Sequence, residues 1–397
     1  MHAPSLTPVA RLQAPLRWFA AAALTAIAGR TMSVQFHRLI WDHGPSGGID
    51  LAIFHQLVAG WFAGLPVYTP DGSFTYPPAS YVLLWPLIGW LTVETARWWW
   101  AAAYVVMLAA LVLLIARETC ATTTWERAFV TLIILAMNAA GVCIGNGQLI
   151  VLLLPPLLAA IFLVARGPAS WPRDLIAATL FVAVLVKPTV TAPFFWLLLF
   201  LPGRVRPALI TAAGYAILTM LAAWLRNGDV LALLHQWIIR GAAEASAAGY
   251  GNLQLALSSI ALSDWILPAS LVVLAAVGTW IYRHRHADLW LLLGVTGVVA
   301  RIWSYHRVYD DVLIVLPAVA LYRVARQAGS PSNERRAAGS AAALLVATLV
   351  APGPWHDIAQ PWRNAYDAMH VIVWLMALSY LMRVTARARV YSYADRG

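Results

Sequence analysis

The sequence predicts an all-α membrane protein, a bundle of about twelve transmembrane helices with short surface helices in its first outer loop. Of its 397 residues, 61% are hydrophobic and only 11% are charged, far from the composition of a soluble domain. The mean hydropathy is +0.71. Runs of roughly 20 apolar residues, enough to cross a hydrocarbon core about 30 Å thick, recur along the chain. The whole chain, 1–397, is therefore expected to form a single transmembrane domain.

The apolar runs define the predicted spans, at 16–34, 78–93, 97–116, 127–144, 147–165, 174–201, 206–225, 267–283, 288–301, 308–323, 337–351 and 368–382. An even count puts both termini on one side. Arginines in the N-terminus, the 323–336 loop and the C-terminal tail make that side the cytoplasm by the positive-inside rule. The loop holding Asp50 and the segment 227–264 then lie outside.

One region conflicts with this topology. The parity puts Arg166 and Arg173 outside, whereas the charge rule favours a cytoplasmic position for both. Splitting the span 174–201 into two half-spans would place these two arginines inside. It would also reverse the predicted sidedness of the segments that precede them. The unsplit span is kept in the prediction.

Composition also limits the function classes. Cys120 and Cys143 are too few for a disulfide framework or a thiolate metal site, and they are interpreted as packing residues. The net charge of +10 comes from basic residues at span ends, so nucleic-acid binding is not expected. No nucleotide motif or zinc spacing is present, and outer-loop acids are too sparse for a divalent cation. Neither a cofactor nor a metal is predicted.

The first outer loop contains a predicted surface helix over residues 50–62. Apolar residues recur there at helical spacing, at Leu51, Phe54, Leu57, Val58, Trp61 and Phe62. Gly64 would end this helix. Pro77-Pro78 would begin the second span, because proline is tolerated in a first helical turn. Residues 230–240 are a second amphipathic candidate in the outer segment.

Asp50 follows Gly47 and Gly48 at the expected start of this helix, where the helix dipole favours a carboxylate. Two roles fit this position. As an N-cap, Asp50 would accept hydrogen bonds from backbone N–H groups of the first turn. As a general base at the membrane boundary, it would take the proton of an acceptor hydroxyl. Position alone does not separate the two roles.

Lys187 is the one lysine in the chain, and it lies inside the apolar run 177–201 immediately before Pro188. A charge inside a membrane costs about 2.5 to 3.5 kcal/mol on insertion scales, so such a residue usually faces a cavity or a partner. A compact ammonium binds phosphate as a point charge, and the proline would open the backbone beside it. The alternative is a lysine that snorkels to the interface.

Polar residues cluster at the outer mouth of a predicted span, at Arg301, Trp303, Tyr305, His306 and Arg307, followed by Tyr309, Asp310 and Asp311. The basic side chains suit a phosphate headgroup, and the aromatic rings suit a sugar or the lipid interface. An aromatic belt with a charge pair is the alternative interpretation.

Two further segments carry amides. Asn146-Gly147-Gln148 is either a tight turn between helices or a hydrogen-bonding part of a polar cavity. Asn252 and Gln254, after a Gly-Tyr-Gly segment, have the same two interpretations.

The order of five elements resembles glycosyltransferase family 87. They are Asp50, residues 64–68 (Gly-Leu-Pro-Val-Tyr), residues 74–78 (Phe-Thr-Tyr-Pro-Pro), Gly147-Gln148 and Lys187-Pro188. Members are polytopic GT-C enzymes, including polyprenyl-phosphate-mannose-dependent α-1,2-mannosyltransferases. The resemblance implies a GT-C-like core over about 10–325, followed by C-terminal spans and a basic cytoplasmic tail over 326–397.

The resemblance also implies a reaction, the inverting transfer of a hexose, mannose by resemblance, from a polyprenyl-phosphate donor to a glycolipid or glycan acceptor. The implied site faces the periplasmic or extracellular side of the plasma membrane, in contact with membrane lipid. Asp50 matches the family's first-loop base, and the phosphate-binding candidates are Lys187, Arg301, His306 and Arg307. The sugar- or acceptor-binding candidates are His55, Tyr68, Tyr76, Gln148, Asn252, Trp303 and Tyr305.

A transporter or flippase with Lys187 in its translocation path is the alternative function. An intramembrane charge beside a helix-breaking proline also marks transport sites. The chain has no detectable internal repeat, which disfavours this alternative.

Overall fold

The protein is described by a computed structural model over residues 8–69, 76–119, 121–247, 249–327, 331–353, 355 and 358–394. These residues form helices and no strands, so the predicted all-α class is confirmed. The helices are α1 (Pro8–Ile40), α2 (Ile49–Phe62), α3 (Pro78–Leu84), α4 (Val93–Glu118), α5 (Thr124–Ala136), α6 (Asn138–Asn146), α7 (Ile150–Ala165), α8 (Trp171–Val184), α9 (Pro188–Phe200), α10 (Arg206–Leu225), α11 (Val230–Ala247), α12 (Leu253–Ser259), α13 (Ile266–His284), α14 (Leu289–Ile302), α15 (Val315–Arg326), α16 (Ser332–Val350) and α17 (Trp362–Ala394).

Local sequence signals set many helix boundaries. The predicted surface helix is α2, whose residues Leu51, Phe54, Val58 and Trp61 are buried against the bundle. It ends at Phe62, and Gly64 follows with a φ of 79°. Proline begins both α3 and α9, as expected for a residue whose missing N–H is not needed in a first turn. The second amphipathic candidate is the N-terminal part of α11.

Four helices of the described chain are individually long and apolar enough to cross a membrane, at Val93–Glu118, Arg206–Leu225, Ser263–His284 and Trp362–Arg387. The pair α5 and α6, bent by 46°, would make a fifth. Other predicted spans fall on helices that are shorter or interrupted. The total of twelve therefore stays a prediction.

The end of the bundle opposite Asp50 is marked by a cluster around Glu118, the last residue of α4. Its carboxylate accepts hydrogen bonds from Arg166 after α7 (2.6 Å) and from the Trp290 indole of α14 (2.8 Å). Arg323 of α15 donates to its backbone carbonyl (2.6 Å). The predicted topology put Arg166 outside and Arg323 inside. Because the two residues contact one glutamate, they lie at the same end of the bundle, and the predicted placement of Arg166 and Arg323 on opposite sides is wrong.

The apolar run 174–201 is a helical hairpin, not one straight span. Asp174 at the start of α8 lies 3.2 Å from Arg206 at the start of α10. Arg204, just after α9, donates to the carbonyl of Leu163 (2.6 Å). The start of α8 and the end of α9 therefore meet at the Glu118 end. The split into half-spans, rather than the unsplit span, describes this region.

The prediction that residues 78–93 form a membrane span is also wrong. The segment is helical over Pro78–Gly89, and at about 1.5 Å per residue it is too short for a core about 30 Å thick. It packs along α2, where Tyr81 stacks on Trp61 with 4.6 Å between ring centroids. One crossing is lost here and one is gained at the α8–α9 hairpin. We infer that the even parity survives.

Cysteine labelling tests the hairpin. In a background without native cysteines, Ala169→Cys, Pro202→Cys and Ser332→Cys should react from one side of the membrane and Ser263→Cys from the other. The first three positions are exposed near the Glu118 end. A membrane-impermeant maleimide applied to intact cells, with permeabilised cells as control, measures this. Labelling of Pro202→Cys together with Ser263→Cys from outside would exclude the hairpin.

Candidate active site

Asp50 is reached by a loop that Arg97 holds in place. The buried Arg97 side chain at the start of α4 donates to the backbone carbonyls of Leu39 (3.0 Å), Asp42 (2.6 Å) and Gly47 (2.8 Å). Hydrogen bonds from charged groups contribute about 1.5 to 3 kcal/mol each. The path of the chain from α1 to Asp50 is therefore fixed.

Asp50 lies in the first turn of α2 and is only 4% exposed. The N-cap is Gly48, with a φ of 56°, and its backbone N–H donates to the carbonyl of Gly145 (3.0 Å). The N-cap interpretation of Asp50 is therefore wrong. Its Oδ2 atom is buried and has no hydrogen-bond partner among the described residues. Buried polar atoms are normally paired, and this oxygen can accept a hydrogen bond from a ligand.

Burial raises the pKa of the Asp50 carboxyl above its ordinary value, because a desolvated site disfavours the anion. The amides of Gln148 and Asn146 and the charges of Lys187 and Arg307 oppose this shift. Asp50 is on α2, outside all predicted spans. A carboxylate of this kind is more basic than an exposed aspartate, which is the property a general base needs.

The break between α6 and α7 packs against the start of α2, next to Asp50. Gly147 ends α6 with a φ of 77°, and a Cβ atom there would lie 2.5 Å from the Cβ of Leu51. Only glycine allows this close approach to α2. The Trp100 indole donates to the carbonyl of Gly147 (3.0 Å), and the Tyr104 hydroxyl donates to that of Gln148. The segment therefore forms the tight turn of one interpretation, and Gln148 also lines a polar cavity, as the other interpretation predicts.

The break between α8 and α9 carries Lys187. Pro188 begins α9, and the carbonyls freed at the break find partners outside the helix ladder. The Ser80 hydroxyl of α3 donates to the carbonyl of Val186 (2.8 Å), and the Thr191 hydroxyl donates to that of Val184 (3.1 Å), which Pro188 cannot bond. These bonds stabilise an unwound segment that would otherwise be costly in an apolar environment.

The Lys187 side chain is buried and paired, so the snorkelling interpretation is wrong. Its Nζ lies 2.7 Å from Asp310 Oδ1 and 3.5 Å from Gln148 Oε1. It also lies over the Tyr309 ring, 4.7 Å from the centroid, and the Gln148 amide donates to the Tyr309 hydroxyl (3.1 Å). Removing one partner of a buried ion pair typically costs about 3 to 5 kcal/mol.

Asp310 also holds two of the basic residues that precede it. Its Oδ2 lies 3.0 Å from His306 Nδ1 and accepts the backbone N–H of Arg307 (3.2 Å). An ionised carboxylate only accepts hydrogen bonds, so Nδ1 of His306 carries the proton. The imidazole is fully buried.

The neighbouring Asp311 holds the remaining cation of the segment. It forms an ion pair with the fully buried Arg301 and accepts the Tyr250 hydroxyl. The Arg301 guanidinium also lies 4.7 Å from the centroid of the Trp374 ring, which ties α17 to this end of the bundle. Arg307 is more accessible, and its guanidinium is 3.6 Å from Glu244 of α11.

A cleft of about 330 Å³ opens beside these residues, a size typical of small-molecule sites. Its polar end is lined by Tyr76, Gln148, Lys187, Tyr309 and Asp310. Its apolar walls come from α11 and α13, through Trp237, Ile238, Ile266, Leu267, Leu271 and Leu274. Leu267 and Leu271 are 44% and 55% exposed, so the cleft opens on the side of the bundle.

The predicted site residues fall into three groups. Tyr76, Gln148, Lys187, Trp303 and Tyr305 line the cleft. Asp50 does not line it but lies next to it, since its carboxylate interacts with the amide of Gln148, which lines the cleft. The other residues that do not line it are His55, Tyr68, Asn252, Arg301, His306 and Arg307.

Three of these outlying residues bind backbone groups. His55 Nε2 lies 2.8 Å from the carbonyl of Leu91, and the Tyr68 hydroxyl donates to the carbonyl of Tyr76 (2.8 Å). Asn252 is the N-cap of α12, accepting a backbone N–H of its first turn (2.8 Å). Their observed contacts fix the segments around the cleft.

From the sequence, Tyr309 and Asp310 are named only as members of a polar cluster, without a site role, and Glu244 is not named, although all three line the cleft. The signal for Asp310 was the need of a buried lysine for a carboxylate partner. That need does not identify the partner, because Lys187 and Asp310 are 123 residues apart. Among the described residues, no group of three or more His, Cys, Asp or Glu side chains is arranged to hold a metal ion.

The described chain is thus a helical membrane protein with a buried carboxylate, a buried lysine and a cleft lined by polar and apolar side chains at one end. A sequence profile described as Glycosyltransferase family 87 matches residues 74–308. The chain belongs to glycosyltransferase family 87 and is a membrane glycosyltransferase. The matched segment includes Lys187, Arg301 and His306, whereas Asp50 and Asp310 lie outside it. Searches of curated proteins and of solved structures returned no match.

Gly147→Ala tests the packing beneath Asp50. Gly203 is a matched control, because its φ is 78° and a Cβ there would meet nothing within 4 Å. Both variants carry left-handed backbone strain of about 1–2 kcal/mol. Gly147→Ala should lower thermal stability further and reduce transfer activity at least tenfold, because its methyl group displaces α2. Equal losses in the two variants, measured by thermal unfolding and activity, would contradict this.

Proposed function

We propose that this glycosyltransferase moves a hexose, mannose by resemblance, from a polyprenyl-phosphate donor to a glycolipid or glycan acceptor. The reaction takes place on the outer face of the plasma membrane and inverts the anomeric carbon. The observation that carries the proposal is Asp50, a buried carboxylate with an unpaired oxygen at the edge of the cleft. Such a group can accept the proton of a hydroxyl that enters the cleft.

In the proposed step, Asp50 takes the proton of the acceptor hydroxyl while the acceptor oxygen attacks the anomeric carbon of the donor. The bond between that carbon and the phosphate oxygen breaks, and polyprenyl phosphate leaves with the bonding electrons. The products are the glycosylated acceptor, protonated Asp50 and the lipid phosphate. One additional negative charge develops on the phosphate, so a nearby cation lowers the barrier.

Lys187 is the cation best placed for the donor phosphate, because its side chain lines the cleft. Arg307, with a 42% exposed side chain, is the second candidate. Arg301 and His306 are enclosed by protein and bound to Asp311 and Asp310. In the proposal they act through those carboxylates rather than by touching the phosphate.

The lining of the cleft supports an amphiphilic donor. Tyr76, Trp303 and Tyr305 offer aromatic faces to a sugar, and Gln148 offers an amide. The walls from α11 and α13 are apolar and suit an isoprenoid chain. The outer location is supported by the position of the cleft, at the end opposite the basic cluster of Arg166, Arg204 and Arg323.

Asp50→Asn should reduce transfer by roughly 10²- to 10⁴-fold, the usual contribution of a positioned general base. Its control is Asp264→Asn, which removes an exposed acid of the segment before α13. The assay uses purified protein in lipid, a radiolabelled polyprenyl-phosphate mannose and a membrane extract as the acceptor source. Wild-type turnover in Asp50→Asn would remove Asp50 from the chemistry. Absence of transfer by the wild type with this and other polyprenyl-phosphate sugars would favour transport.

The pH dependence of transfer tests the environment of Asp50. A general base acts in its deprotonated form, so kcat/KM should fall as pH decreases through the pKa of Asp50. Because burial raises this pKa above 3.8, the fall should begin at a higher pH than an exposed aspartate would give. Tryptophan fluorescence at each pH controls for unfolding. An acid limb at or below pH 3.8 would contradict the proposed base.

A further inference from the structure

Asp310 joins more of the predicted phosphate-binding residues than any other contact described above. One oxygen pairs with the Lys187 ammonium (2.7 Å), and the other lies 3.0 Å from His306 Nδ1 and accepts the Arg307 backbone N–H (3.2 Å). The Asp310 side chain is 2% exposed. It is therefore a buried anion with three fixed donors around it.

The same carboxylate also faces the cleft. Both Lys187 and Asp310 line its polar end, next to Gln148 and Tyr309. A phosphate that approaches the Lys187 ammonium therefore approaches the Asp310 carboxylate as well. Two anions then compete for one cation in an environment where charges interact strongly.

The competing charge changes during the proposed reaction. The donor phosphate is a diester with one negative charge, whereas the lipid phosphate product is a monoester that carries up to two. An unpaired buried lysine would bind the product more tightly than the donor. A lysine already paired with a carboxylate binds both less tightly, because the phosphate must share the ammonium.

We propose that Asp310 is a positioning residue that holds Lys187 in the empty cleft and limits the affinity of the site for the lipid phosphate product. The inference rests on the proposed function, since it concerns the leaving group of that reaction. The ligand class is the phosphate monoester of an isoprenoid alcohol. After transfer, Asp310 regains the ammonium and the product leaves.

Asp311 provides a matched comparison. It is the adjacent carboxylate, it is also buried, and it also pairs with a cation, Arg301. It does not line the cleft. Replacement of Asp311 therefore removes a buried acid of the same kind without removing the competitor for Lys187.

The test measures binding of farnesyl phosphate to full-length wild type, Asp310→Asn and Asp311→Asn in lipid nanodiscs by calorimetry. Asp310→Asn should bind at least tenfold more tightly than wild type, whereas Asp311→Asn should show no gain. Thermal stabilisation by farnesyl phosphate should likewise be larger for Asp310→Asn. In turnover, Asp310→Asn should show a lower kcat and stronger inhibition by farnesyl phosphate. Unchanged or weaker binding by Asp310→Asn would overturn the inference.

A second variant keeps the test decisive where Asp310→Asn is too unstable to purify. The double variant Lys187→Gln/Asp310→Asn has no unpaired buried charge at this position and should bind farnesyl phosphate more weakly than wild type. Binding equal to wild type would overturn the inference, because the pair would not contact the phosphate. The binding assays need no turnover. An inactive wild type that shows the expected binding differences would refute the proposed transfer and still support the role of Asp310.

Discussion

Backbone hydrogen bonding in an apolar environment is the constraint on which the site depends. Two helices break near the Asp50 end, at Gly147 and at Lys187, and each break frees carbonyl groups that lipid could not satisfy. Side chains from other helices supply the donors, Trp100 and Tyr104 at one break and Ser80 at the other. These donors are buried, so the breaks are stable enough to bring the Gln148 amide and the Lys187 ammonium to one cleft.

Charge compensation is the second principle of the site. Lys187, Arg301 and Arg307 each lie beside a carboxylate, those of Asp310, Asp311 and Glu244. The buried cations therefore have their charge compensated by the protein itself, and the attraction within each pair offsets part of the cost of desolvating both partners. Asp50 differs, since one of its carboxylate oxygens has no hydrogen-bond partner in the described chain. In the proposed reaction, this difference suits the paired cations to phosphate binding and Asp50 to proton transfer.

The sequence was sufficient for features that depend on local chemistry. It predicted the helical class, the surface helix α2 and the proline start of α3, because hydrophobic periodicity and the missing N–H of proline act within a few residues. It also singled out Asp50, Gln148 and Lys187, which the structure brings to one cleft or its edge. The sequence does not distinguish the α8–α9 hairpin from a single span, because an apolar run of that length is compatible with both. The bond that stabilises its break comes from Ser80, 106 residues away.

The cleft opens sideways between α11 and α13, which determines the donor concentration that controls the rate of the proposed reaction. Leu267 and Leu271 line the cleft and are exposed at the side of the bundle, where lipid chains lie. The proposed lipid-linked donor would enter by this route without leaving the bilayer. Its availability is then set by its mole fraction among the surrounding lipids and by two-dimensional diffusion. Diluting the donor with inert lipid would slow the reaction even when the amount of donor per volume of suspension stays constant.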